Sequence, residues 1–87
     1  MEETKYIYKV RFEIGTSVQI ADRDVLETFL RDWKLHDKLE PEQLNYHGQV
    51  AAVEKVGFYF GGDQLYKLIG IPGVWHEQCL KAPEQVL

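Results

Sequence analysis

A single cysteine, Cys79, leaves no internal disulfide for this chain of 87 residues. It is therefore not a stapled secreted domain, and a reducing compartment, the cytoplasm, is the expected location. A basic surplus is also lacking, because ten Lys and Arg stand against 14 Asp and Glu for a formal net charge of −4. General nucleic-acid and anionic-membrane surfaces need clustered cations that displace counterions, so neither partner is expected. No stretch approaches the ~20 apolar residues that cross a bilayer. The opening MEETKYIYK carries acids where a secretory signal carries bases, so no signal peptide is expected. Repeats and low-complexity tracts are missing, and Pro41, Pro72 and Pro83 are scattered rather than gathered into a linker; the reading is one domain, 1–87, with an irregular tail at 82–87. A chain this short buries only roughly 60 to 65 per cent of its unfolded surface. A deep cleft for a bound dinucleotide, or two domains closing on a substrate, is hard to build at this size, so most enzyme classes are not expected.

What is present is an ordinary globular composition, 45% apolar and 28% charged, unevenly distributed. Seven acids (Asp22, Asp24, Glu27, Asp32, Asp37, Glu40, Glu42) and four bases (Arg23, Arg31, Lys34, Lys38) crowd between positions 22 and 42. The half from Gln43 onward is poor in charge and must hold most of the core. Tyr6 to Ile14 alternates apolar with polar residues, the period of a half-buried strand. Gly15-Thr16-Ser17 interrupts it, and Val18-Gln19-Ile20 resumes, so a hairpin and a bent continuous strand both fit. From there the period changes: Val25, Leu26, Phe29, Leu30 and Trp33 form one helical stripe, with Asp22 or Asp24 as cap and Asp24 and Glu27 at capping-box spacing. Glu40-Pro41-Glu42-Gln43-Leu44 signals a short helical turn that Gly48 ends. The remainder reads as β. Residues 49–60 form a long strand with a bulge or bend at Gly57, Gly61-Gly62-Asp63 a tight turn, residues 64–69 the return strand, Gly70-Ile71-Pro72-Gly73 a further turn, and Val74 to Leu80 the last strand.

Arg11-Phe12-Glu13-Ile14-Gly15-Thr16-Ser17-Val18-Gln19-Ile20 resembles the opening of SH3-like barrels, where a glycine turn precedes a strand of Val and Ile. Gly48 to Val56 looks like their central strand, and Leu65-Tyr66-Lys67-Leu68 with Gly73 to Leu80 is similar to their closing hairpin. The likeness covers residues 11–81 and implies a mainly β fold: a small SH3-like barrel of about five strands, with one α-helix and a short helical turn inserted after the first strand, at about 22–46. On barrels of this kind, accessory subunits of nitrile hydratases and small subunits of photosynthetic complexes carry helix-bearing inserts in a supporting role. As a whole the chain looks like a small bacterial protein. A likeness of fold carries over no catalytic residue.

Four constellations are weighed for chemistry. His76 and Cys79 stand at H-x-x-C, to which His47 or Asp63 could add, but only one half of a paired zinc-ligand spacing is present. A buried thiol beside a hydrogen-bonded histidine is the plainer reading. A Cys/His nucleophile using Glu77 has no cleft around it, and Ser17 with His36 or His47 lacks a nucleophile elbow. Gly61-Gly62-Asp63 lacks the helix start and cation of a phosphate cradle. The aromatics Tyr46, Phe58, Tyr59, Phe60, Tyr66 and Trp75 crowd the charge-poor half, more rings than one inner face takes. Tyr46, Tyr59, Tyr66 and Trp75 are accordingly the candidate interaction surface, with His47, His76 and Cys79 as weaker polar candidates. The expected function is a non-catalytic protein-interaction or accessory module, without cofactor or metal, whose partner is another protein or a second copy. An enzyme-associated small subunit or weak metal or ligand binder using His76 and Cys79 is the alternative, and single-stranded nucleic-acid binding through tyrosines comes third.

Overall fold

Strand alternation and the switch of period after Ile20 both have counterparts in the computed structural model, which describes residues 10–34, 38–58 and 64–84. In chain order these are β1 (Ser17–Ile20), α1 (Arg23–Asp32), a 3-10 turn (Pro41–Tyr46), β2 (Val50–Phe58), β3 (Gln64–Leu68), β4 (Ile71–His76), a second 3-10 turn (Glu77–Cys79) and β5 (Leu80–Lys81). All neighbouring strands are antiparallel, in the order β4-β3-β2-β1-β5, and the sheet curls into a half-barrel. The fold is mainly β, with the helix and the first 3-10 turn inserted after the first strand, as the sequence predicts.

Strand β2 makes the curl possible. Its first residues pair with β1 (Val18 opposite Ala51) and its later ones with β3 (Val56 opposite Tyr66), so one strand serves both halves. The register slips between Val53 and Lys55. The irregularity is therefore at Glu54, not at Gly57, which sits in regular register opposite Leu65.

Several boundaries differ from expectation. Tyr6 to Lys9 lies outside the described residues, and Val10 to Ile14 is not a strand. Those residues lead instead into a turn in which the Thr16 N–H donates to the Glu13 carbonyl at 2.9 Å, and the Gly15 N–H reaches the Val53 carbonyl at 2.8 Å. The Gly61-Gly62-Asp63 turn also lies outside the described residues. β4 begins at Ile71, opposite Leu68, so the turn is only Ile69-Gly70. Pro72 is tolerated inside β4 because, among the described residues, this strand is a sheet edge, where a missing N–H need break no ladder bond. Finally, the last strand is two pieces: β4 stops at His76, the 3-10 turn redirects the chain, and Leu80 pairs with Ile20 of β1.

Of the helix stripe, Leu26 and Phe29 lie in the core and Leu30 and Trp33 pack against it, while Val25 is 43% exposed. Its cap differs. Asp22 occupies the N-cap without a side-chain cap bond, Asp24 Oδ1 accepts the Val25 N–H, and Glu27 pairs with Arg23 at 2.9 Å. The reciprocal capping box forms at Glu40 and Gln43 instead. The core joins Val18, Ile20, Val53, Tyr66, Leu68, Trp75 and Leu80 from the strands to Phe12, Leu39 and Cys79.

Candidate functional site

Counting faces places too many rings outside. Tyr66 and Trp75 are opposite each other on β3 and β4, and both are 0% exposed. They are core residues, which corrects the expectation that they form an interaction surface. Tyr46 is half-buried against the core, and Tyr59 lies outside the described residues. The Tyr66 hydroxyl accepts the Phe12 N–H at 3.2 Å and donates to Gln64 Oε1. Gln64 Oε1 also takes the Arg11 N–H at 2.8 Å, and Arg11 lies 4.8 Å over the Phe12 ring while its guanidinium donates to the Glu77 carbonyl. This network fastens the segment before β1 across the end of the sheet. Burial pushes the Tyr66 phenol upward from 10.0. The Trp75 indole N–H, by contrast, has no hydrogen-bond partner among the described residues.

The polar candidates separate. His47 is exposed. Cys79 is fully buried, and burial pushes its thiol up to about 12, the opposite of an activated nucleophile. His76 is buried as well, and the 3-10 turn between it and Cys79 removes simple strand alternation as a guide to their directions. Among the described residues no group of three or more His, Cys, Asp or Glu side chains could hold a metal ion.

His76 reveals instead how the insert sits. Adjacent strand residues point to opposite faces, so with Trp75 and Tyr66 turned inward, His76 and its cross-strand partner Leu65 lie on the outer face. The rings of Phe29 and Trp33, stacked on each other at 5.1 Å, cover that histidine at 4.8 and 4.7 Å. Phe29 of α1 and Trp33 at its C-cap thus close over His76 at the end of β4.

Beside this stack runs an open groove of about 390 Å³ lined by Asp24, Val25, Thr28, Phe29, Asp32, Trp33 and Gln78. Helical spacing explains its chemistry: Val25, Phe29 and Trp33 form its apolar wall, and Asp24, Thr28 and Asp32 its polar lip. Val25 is 43% exposed and Trp33 half-buried. Asp32 pairs with Arg31 at 2.9 Å, yet the lining itself holds two carboxylates and no cation. The stripe is legible in the sequence, but which of its edges stays uncovered is not, and this site is not among the sequence candidates. The only available signal was its width, since five apolar positions are more than Leu26 and Phe29 need to anchor the helix.

On the other side of His76 the character reverses. Lys55 and Lys67 are directly opposite across β2 and β3, both exposed, on the face shared by Gly57, Leu65 and His76. With Val56 and Val74 they border a second open groove of about 340 Å³. Neither lysine has an ion pair among the described residues. Opposed like charges destabilise a strand pair, so the fold gains nothing from this placement.

No helix among the described residues is long and apolar enough to cross a membrane. No family model, curated protein or solved structure matches the chain.

Proposed function

We propose that this chain is a non-catalytic protein-interaction or accessory module, an SH3-like barrel whose inserted helix carries the docking site. The groove along α1 supports this reading: Val25 and Trp33 present uncovered apolar surface between the Asp24 and Asp32 carboxylates. Apolar surface rimmed by polar groups is the composition of a contact site, and the carboxylates favour a partner that brings Lys or Arg beside an aliphatic side chain. Catalysis has little support here, because the buried thiol holds its proton and His76 is enclosed by two rings.

The test is an NMR titration of dilute protein with an acetylated peptide of alternating Lys and Leu, beside one of alternating Glu and Leu. Shifts confined to the Val25 and Thr28 amides, the Trp33 indole and Gln78 are expected with the first peptide only. Equal shifts with both peptides, or none at these positions, overturn the reading.

A further inference from the structure

We infer that the occupant of the α1 groove is the lysine-bearing face of a second copy of this chain, giving a dimer with reciprocal contacts. This deepens the docking reading above and rests on it. Three observations carry it. First, the two surfaces are complementary in charge and alike in polarity: Asp24 and Asp32 flank Val25 and Trp33 on one, while Lys55 and Lys67 flank Leu65 and Val74 on the other. Second, Lys55 opposite Lys67 costs the monomer stability, and neither lysine has an ion pair among the described residues to offset it. Carboxylates from a partner would remove that cost. Third, the surfaces are adjacent. Phe29 and Trp33 line the acidic groove and touch His76, whose cross-strand neighbour Leu65 lines the basic one. Opposite patches side by side on one face can be matched twice by a single two-fold axis between them, which is the commonest oligomer geometry. Gly57, with no atom within 4 Å of where a Cβ would stand, leaves the basic groove open for the ring of Trp33 and the methyls of Val25 from the other copy.

Sedimentation equilibrium and charge reversal test the proposal. The native chain should approach twice its 10.2 kDa as concentration rises to about 1 mM, and added salt should drive it back toward monomer. The double variants Asp24→Lys/Asp32→Lys and Lys55→Glu/Lys67→Glu should each associate at least about tenfold more weakly, with unchanged circular dichroism showing that they fold. Mixing the two variants makes both reciprocal contacts complementary again, one native and one with its charges exchanged, so a heterodimer should appear that neither forms alone. A native chain that stays monomeric, a mass that climbs past the dimer, or a mixture that fails to pair overturns the inference. If the native chain is monomeric while the Lys/Leu peptide still marks the groove, self-pairing alone has failed; if the peptide is silent too, both readings have.

Discussion

A Cβ placed on Gly73 would lie 2.7 Å from Nε2 of Gln43, so the amide of the first 3-10 turn fills the space that any other residue of β4 would need. Gln43 is buried and held at both ends. Its Oε1 accepts the Glu40 N–H at 2.8 Å, and its Nε2 donates to the Val74 carbonyl at 3.2 Å. The insert is thereby tied to the edge strand by one side chain. Gly73 also has φ +95, in the left-handed region that favours glycine.

Gly73→Ala should therefore cost about 2–4 kcal/mol, combining left-handed strain with loss of the displaced amide's hydrogen bonds. Gly70, with φ +80 and open space around its Cβ position, isolates the first contribution: Gly70→Ala should cost only about 1–2 kcal/mol. Urea unfolding of both variants measures the difference. Equal losses would mean that Gln43 gives way freely and is no tie.

Tyr66 was a surface candidate by sequence, and two substitutions decide its role. Burial with a paired hydroxyl predicts that Tyr66→Phe costs about 1–3 kcal/mol, because the buried Phe12 N–H loses its acceptor. Tyr66→Ala should cost about 3–5 kcal/mol by leaving a cavity. The readout is thermal unfolding together with sedimentation. A stable Tyr66→Ala protein with weakened association would return the ring to an interface.

The opposed lysines yield a prediction of opposite sign. Lys67→Glu turns a like-charge pair into an attractive one, so it should stabilise the monomer by about 0.2–1 kcal/mol. Chemical denaturation at low salt, repeated at high salt, checks it, since the gain must shrink with screening. A variant less stable than the native chain at low salt would show that the side chains do not face each other.

How much of this could be read from residues alone follows from which forces are local. The helix was legible because Leu26, Phe29 and Leu30 repeat at its period, and the strand content because alternation is local too. The bend of β2 was not: Gly57 invited it, but the slip at Glu54 arises where β1 and β3 compete for the same strand, a long-range matter. Arg11 and Phe12 alternate as a strand would, yet their N–H groups are taken by Gln64 and Tyr66 side chains more than fifty positions away. Pro72 and Gly73 carry turn chemistry, and only the edge position of β4 and the Gln43 amide show why they stand in a strand. The site failed for a related reason. Sorting rings between an inside and an outside ignores that an insert can close over a strand residue, as Phe29 and Trp33 close over His76, and a stripe cannot say which of its edges, here Val25, stays bare.

Cys79 gives the last prediction, through pH. Burial raises its thiol from 9.0 to about 12 in the folded protein, so between those values the unfolded chain releases a proton that the native chain keeps. Where the unfolded state binds fewer protons, stability falls as pH rises. The thiol's effect is therefore absent below about pH 9 and grows up to about pH 12, with a slope approaching 1.4 kcal/mol per pH unit, roughly one proton's worth. Burial of Tyr66 acts in the same direction, from its unfolded value of 10.0 upward. Cys79→Ala removes the thiol's share and leaves the tyrosine's. Urea midpoints measured from about pH 8 to about pH 11 should fall more steeply for the native chain than for Cys79→Ala, whatever offset the smaller side chain introduces at the start. Parallel curves would mean that the thiol ionises as easily folded as unfolded, and that its burial is not what the structure places there.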